Sequence, residues 1–141
     1  MPLKRIEGRT NHVVWMAGNF VNMRYGLANV LGIEEKDPYN ELFFQAKALD
    51  QNVEYPTLKE LKANFHQISP AVYDALLTIT DARLNEKFPL NMNVSFFPET
   101  LLNFIGMCIG REDYLCGQMG LMRRILDYPG MKYEMDEHIT Y

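Results

Sequence analysis

The side chains that could bind a metal ion or act as nucleophiles are few and widely spaced. The three histidines, His12, His66 and His138, lie in different parts of the chain, and no two are three or four residues apart. That spacing is what brings two side chains to one face of a helix, so a histidine metal site is not expected from these residues. We expect His12 near the cap of a helix, His66 partly buried and His138 in solvent.

Two cysteines and one glutamate complete the set of candidate groups. Glu112 and Cys116 have the i, i+4 spacing that a new Glu/Cys/His site would use, but packing for Cys116 and solvent exposure for Glu112 are the simpler roles. Cys108 and Cys116 lie about 12 Å apart along one helix, too far for a disulfide, which needs Cα atoms about 4.4–6.8 Å apart. Free thiols fit a reducing cytoplasm. The sequence contains no Ser/His/Asp arrangement, phosphate-binding glycine loop or dinucleotide fingerprint.

Composition indicates one globular domain, residues 1–141, of ordinary character. The chain is 48% hydrophobic and carries a net charge of −4, whereas nucleic-acid-binding domains usually show a basic face or stripe. Basic residues here are scattered apart from two short clusters, so no nucleic-acid partner is expected. No apolar run reaches the roughly 18 residues of a membrane span, and the opening MPLKRIEGRT lacks the apolar core of a signal peptide. We therefore expect a cytoplasmic protein without a membrane partner.

The pattern predicts three long helices and an all-α fold. The first runs from about His12 to Leu31, with Thr10 or Asn11 as N-cap and Gly32 ending it. The second opens with a T-x-x-E capping box and continues as one amphipathic stripe. Its apolar positions are Leu58, Leu61, Phe65, Ile68, Val72, Leu76 and Ile79. Pro70 is expected to kink it.

The third helix is predicted from about Pro98, which suits a first turn, to Leu126. It contains Gly106, Gly110, Gly117 and Gly120, and each glycine costs about 1 kcal/mol relative to alanine. Close approach of a neighbouring helix would explain them, and so would room for a ligand beside the helix. Methionines on the apolar faces are expected to fill the core, or to line a two-fold interface. They are Met16, Met23, Met107, Met119 and Met122.

Two connecting segments are expected to complete the core. Pro38–Leu49 is predicted to form a short helix with four side chains inward, namely Leu42, Phe43, Ala46 and Leu49. The segment before the third helix is expected to cover the end of the core with Phe88, Val94, Phe96 and Phe97. Its alternating stretch NMNVSF is strand-like, but it is short and has no partner strand.

Three segments together resemble the DinB-like (DinB/YfiT) proteins and cover most of the chain in that family's order. TNHVVWMAGNFVNMRYGLANVLG is similar to their W-x-x-x-H helix, and YPTLKELKANFHQISPAVYDALLTITDARL to the helix that opens with P-[ST]-x-x-E-L. REDYLCGQMGLMRRIL is similar to their last helix, H-x-x-Y-H-x-G-Q-x-x-x-x-R-R-x-L. The matching residues there are Tyr114, Gly117, Gln118, Arg123, Arg124 and Leu126.

The resemblance implies a four-helix bundle, usually a homodimer, that holds a divalent metal such as zinc or nickel through three histidines. It also implies thiol-dependent transferase or isomerase chemistry. This chain departs from the pattern at every ligand: Asn19, Arg111 and Leu115 stand where the histidines are expected. Leucine has no ligating atom, and a guanidinium stays protonated and repels a cation. No metal or other cofactor is therefore expected, unless the ligands are aligned wrongly.

The vacated pocket, formed by Asn19, Arg111, Leu115 and Gln118, leads to two interpretations. Arg111 either pairs with a carboxylate at the rim or binds a carboxylate or phosphate of a ligand through a bidentate contact, with Asn19 and Gln118 adding hydrogen bonds. We expect a non-catalytic relative that binds a small, acidic molecule or acts as a dimeric interaction protein. The alternative is a thiol-dependent enzyme with a rebuilt or metal-free site.

We also expect the family's first helix to be short or missing in this chain, since about ten residues precede the first predicted one. The groove that this leaves is expected to be filled by Pro38–Leu49, by the C-terminal tail or by a second subunit, unless the chain begins later than its relatives.

Overall fold

The computed structural model describes residues 2–92, 95–134 and 137–138, and in these residues the fold is all-α, as predicted. Three long helices, α1, α3 and α5, alternate with two one-turn helices, α2 and α4. Their bounds are α1 Val13–Val30, α2 Asn40–Phe43, α3 Leu58–Thr78, α4 Asp81–Leu84 and α5 Leu101–Ile125. A 3₁₀ turn, Phe44–Ala46, follows α2 directly. The four-helix-bundle arrangement stays a prediction.

Helix α1 lies at the centre of the molecule and is buried around most of its circumference. Helices α3 and α5 both pack on α1, but within the described ranges the Cα atoms of α3 and α5 do not approach each other within 8 Å. A shallow apolar groove of about 210 Å³ remains where α1, α3 and Met119 of α5 meet. The core is therefore organised around α1.

The ends of α1 differ in how well they follow the sequence prediction. The N-cap is His12, whose Nδ1 accepts a hydrogen bond from the Trp15 amide at 3.0 Å, so Thr10 or Asn11 as N-cap was wrong. Thr10 is engaged elsewhere, because its hydroxyl accepts a hydrogen bond from the Ile6 amide. At the other end Gly32 has a φ of +93° directly after the C-cap, which confirms it as the glycine that ends the helix.

Helix α3 begins at the predicted capping box. The Thr57 hydroxyl accepts a hydrogen bond from the Glu60 amide, and the Glu60 carboxylate accepts one from the Thr57 amide at 2.7 Å. The hydroxyl also donates to the same carboxylate, which lowers the pKa of Glu60. The helix continues through Pro70 to Thr78.

Helix α5 begins later than predicted. Thr100 is its N-cap, and the Thr100 hydroxyl accepts a hydrogen bond from the Asn103 amide, so a start at Pro98 was wrong. Thr100 itself is extended and forms an isolated antiparallel β-bridge with Lys87. The predicted C-terminal end is off by a single residue, since Leu126 is the C-cap.

The segment from Pro38 to Leu49 forms α2 and the 3₁₀ turn against α1, as the sequence pattern predicted. Phe43 is fully buried, and Leu42 and Leu49 are half-buried. Ala46 is exposed, so its inward placement was wrong, because the backbone takes positive φ angles at Gln45 and Ala46 and turns the side chain outward. This segment covers one side of α1.

The segment before α5 agrees only in part with its prediction. Phe88 packs against Phe104 of α5 with ring centroids 4.6 Å apart. Phe96 and Phe97 are 74% and 43% exposed and pack on each other, so the expectation that they cover the core was wrong. Val94 lies outside the described residues. Helix α4, which the sequence did not predict, is capped by the hydroxyl of Thr80.

Candidate functional site

The structure brings together two residues of the predicted pocket, Asn19 on α1 and Arg111 on α5. The Asn19 Oδ1 accepts hydrogen bonds from Arg111 Nε at 3.2 Å and from Arg111 Nη2 at 3.0 Å. Asn19 is buried, and its Nδ2 donates to the Phe43 carbonyl at 3.5 Å. The Arg111 guanidinium also lies over the Tyr114 ring, 5.2 Å from its centroid. One edge of a half-buried guanidinium is thus fixed by a rigid amide.

The other two predicted residues have different surroundings. Leu115 is fully buried in the apolar core, and Gln118 is half-buried on the next turn of α5. The polar part of the site therefore consists of Asn19 and Arg111, and Leu115 belongs to the apolar core.

The charge of Arg111 is not balanced by a carboxylate in the part of the chain that the structure describes. Its hydrogen-bond acceptor is a neutral amide, and no Asp or Glu oxygen lies within 4.0 Å. The described residues therefore do not form the ion pair that was expected at the rim. A guanidinium has five N–H donors, and Asn19 uses two of them, so three have no acceptor among these residues.

Glu112, the next residue of α5, is by contrast paired with an oppositely charged side chain. Glu112 forms a two-point ion pair with Arg24 of α1, at 2.8 and 2.6 Å, with side chains only 12% and 18% exposed. The expectation that Glu112 lies in solvent was wrong. Arg24 also donates to the Ser69 hydroxyl of α3 and lies over the Phe65 ring at 5.0 Å. Arg24 of α1 therefore links α5, through its ion pair, to α3, through its hydrogen bond.

Sequence reasoning missed Arg24, although a signal was present. It is the only charged residue in the 18 residues of α1. A lone charge in a helix that is otherwise apolar or neutral is costly to bury unless it is paired. That rule points to a carboxylate on a neighbouring helix.

The residues at the expected metal-ligand positions do not fit a metal ion. Asn19 Oδ1 is occupied by a protonated guanidinium, and Leu115 has no donor atom. Across residues 2–92, 95–134 and 137–138, no three His, Cys, Asp or Glu side chains converge as a metal-binding group. His12 is a buried cap, and His66 is exposed rather than partly buried as expected.

Both cysteines are free thiols with poor nucleophile chemistry. Burial raises the pKa of Cys108 to about 11, with the Glu112 charge adding to the effect. Burial and the nearby Glu112 and Asp113 charges also raise the pKa of Cys116. Since the thiolate is the reactive form, both side chains stay protonated at neutral pH.

Comparison with known proteins leaves the family open. The chain matches no protein-family model, no curated protein and no solved structure. None of the helices in the described ranges combines the length and the apolar character needed to cross a bilayer. Membership of the DinB-like family, to which three segments of the sequence point, therefore stays a prediction.

Proposed function

We propose that this chain is a divergent, non-catalytic DinB-like protein that binds a small molecule through an anionic group, a carboxylate or a phosphate, at Arg111 and Asn19. The observation that carries this proposal is the half-buried Arg111 charge whose only fixed acceptor in the described residues is an amide. Charged side chains are seldom withdrawn from water without a counter-charge. A bound anion would supply it.

The geometry around Arg111 favours recognition by hydrogen bonding. Asn19 fixes the guanidinium through Nε and Nη2, which leaves Nη1 and the second hydrogen of Nη2 for a ligand. Two adjacent N–H groups match the two oxygens of a carboxylate or phosphate. The contact with Tyr114 further restricts the guanidinium plane, so less side-chain entropy is lost on binding.

The proposal is tested by titrating the protein with benzoate and, separately, with inorganic phosphate, followed through the backbone amide resonances of residues 18–20 and 110–112 in NMR spectra. Replacing Arg111 with methionine should weaken binding about tenfold or more, because a hydrogen bond to a charged group contributes about 1.5–3 kcal/mol. Arg124→Met, at an exposed position on the same helix, is the matched control and should bind as the wild type does.

A second variant tests the same proposal by supplying a carboxylate within the chain. Asn19→Asp places a carboxylate directly against the guanidinium, so Arg111 should be neutralised within the chain and the anion affinity should fall. The proposal is contradicted if neither Asn19→Asp nor Arg111→Met changes the affinity of the wild type for benzoate or for phosphate.

The alternative is a thiol-dependent transferase or isomerase with a rebuilt or metal-free site. An enzyme that used its own cysteine would need a thiolate, whereas burial raises the pKa of both Cys108 and Cys116. Binding without catalysis is therefore the better-supported function.

A dimeric interaction role is the second candidate, and the outward face of α5 favours it. An added Cβ would meet no atom within 4 Å at Gly106, Gly110 or Gly117, so no helix among the described residues explains these glycines. Large apolar side chains on α5 are also exposed, namely Leu102, Ile109, Tyr114, Leu121 and Ile125.

A second copy of the chain is the occupant that the charges favour. Asp113 and Arg124 are eleven residues apart on α5, close to three full turns. They therefore share an exposed side and would pair reciprocally in an antiparallel two-fold contact. Light scattering should show a dimer that Leu121→Glu separates into monomers, while Leu77→Glu on α3, equally apolar and exposed, leaves it intact. A monomeric wild type would contradict this role.

A further inference from the structure

A second concave region lies on the side of α1 that faces the segment 36–45. It is a cleft of about 750 Å³ between α1, this segment and Phe104 and Cys108 of α5. Sites for small organic molecules in proteins typically measure about 300–1,000 Å³. The cleft is lined by residues other than Arg111 and Asn19, so it is independent of the anion site proposed above.

A buried carboxylate, Asp37, lies in the wall of this cleft. Asp37 is 8% exposed; its Oδ1 accepts a hydrogen bond from the Tyr39 amide at 2.9 Å, and its Oδ2 accepts one from Asn22 Nδ2 at 2.7 Å. Both donors are neutral. Among the residues that the structure describes, no Lys, Arg or His nitrogen lies within 4.0 Å of this carboxylate. A negative charge withdrawn from water without a cation is costly.

The side chain next to this carboxylate presents a second free acceptor. Asn22 is also 8% exposed, and its Nδ2 is shared between Asp37 and the Asn40 Oδ1, at 2.7 and 3.1 Å. Both amide hydrogens are thereby used, which fixes the orientation of the amide. The Asn22 Oδ1 has no hydrogen-bond donor among the described residues, and it lies beside the carboxylate in the wall of the cleft.

The electrostatic surroundings favour a positive ligand. Glu41 also lines the cleft, and Lys36 is the only basic side chain among its lining residues. The pKa of Tyr25, which lies in the same wall, is raised by burial first and then by the charges of Asp37 and Glu35. The charges of Asp37 and Glu35 therefore act on the cleft wall that contains Tyr25.

We propose that the cleft binds a small organic cation, a primary amine that carries an apolar or aromatic body. The ammonium group has three N–H donors, which match the remaining lone pairs of Asp37 and the free Asn22 Oδ1. Phe44 and Phe104 line the same cleft and offer apolar surface for the body of the ligand. This ligand is opposite in charge to the one proposed for Arg111.

The test uses phenethylamine as the probe and phenethyl alcohol as its neutral counterpart of the same shape, both titrated into the full chain and followed by NMR chemical shifts. The amine should bind at least tenfold more tightly than the alcohol, with shifts at Asn22, Asp37 and Asn40. This comparison needs no variant, so it holds whether or not a substitution impairs folding. Equal affinity for the amine and the alcohol, or no saturable binding of either, would overturn the proposal.

Two matched variants then locate the contact. Asp37→Asn removes the charge with little change in shape and should weaken amine binding at least tenfold. Glu34→Gln removes an exposed charge of the same sign from a residue that does not line the cleft, and should change amine affinity less than about twofold. Equal losses in the two variants would mean general attraction of a cation to an acidic surface and would overturn the assigned contact. Arg111→Met should leave amine binding unchanged, which separates this result from the anion site.

Discussion

The contact between Gly18 of α1 and the Phe43 ring provides the sharpest test of the packing described above. A Cβ added at Gly18 would lie 2.0 Å from Phe43 Cζ and within 2.4 Å of both Cε atoms. Non-bonded carbon atoms prefer a separation of about 3.5–4.0 Å, so the ring would have to move by about 1.5 Å. Phe43 is fully buried, and a close-packed core has no room for such a shift. Gly18→Ala should therefore displace the ring.

The size of the effect follows from two opposing terms. Displacing a buried phenylalanine costs about 3–5 kcal/mol, the same as truncating it, and alanine gains about 1 kcal/mol over glycine in a helix. We therefore expect Gly18→Ala to lower the free energy of unfolding by about 2–4 kcal/mol. Gly26→Ala is the matched control on the same helix, since nothing lies within 4 Å of its added Cβ. It should raise stability by about 1 kcal/mol.

Urea unfolding followed by circular dichroism measures both variants, and a double-mutant cycle isolates the contact. Phe43→Ala should cost about 3–5 kcal/mol, and adding Gly18→Ala in that background should restore up to about 1 kcal/mol because the clash is gone. Our reasoning is refuted if Gly18→Ala is as stable as the wild type, or if the two substitutions are additive.

The helices could be predicted from sequence largely because local interactions determine them. The Thr57–Glu60 capping box and Gly32 act over three or four residues, and both are found where predicted. The N-cap of α1 could not be chosen locally, because consecutive residues up to His12 all carry acceptor side chains. A tertiary environment that engages Thr10 elsewhere and buries His12 decides between them.

The residues of the candidate site could likewise be predicted only in part. Family resemblance assigned Asn19 and Arg111 to one pocket, and their side chains are hydrogen-bonded. The partner of Arg24 and the burial of Asp37 depend on how separate segments pack on α1. A polar loop residue such as Asp37 gives no periodic signal, so its place in the wall of a cleft is visible only in three dimensions.

Two further predictions concern buried polar groups. Glu112→Gln leaves Arg24 buried without a counter-charge and should lower the free energy of unfolding in urea by about 3 kcal/mol. Asp113→Asn, at the exposed neighbouring position, should change that free energy by less than about 0.5 kcal/mol. Similar losses of stability in the two variants would contradict the role of the ion pair. Burial first, and then the charge of Arg5, lower the folded-state pKa of His12 below 6.5, and the unprotonated Nδ1 accepts the amide of Trp15. As the pH falls below about 6.5, the unfolded chain binds a proton that the folded chain does not, so stability decreases until the lowered pKa is reached. Between about pH 7.5 and pH 5.5, His12→Asn, which keeps a capping acceptor but does not titrate, should lose less stability than the wild type. An equal loss in the two proteins would show that the cap does not cause the pH dependence.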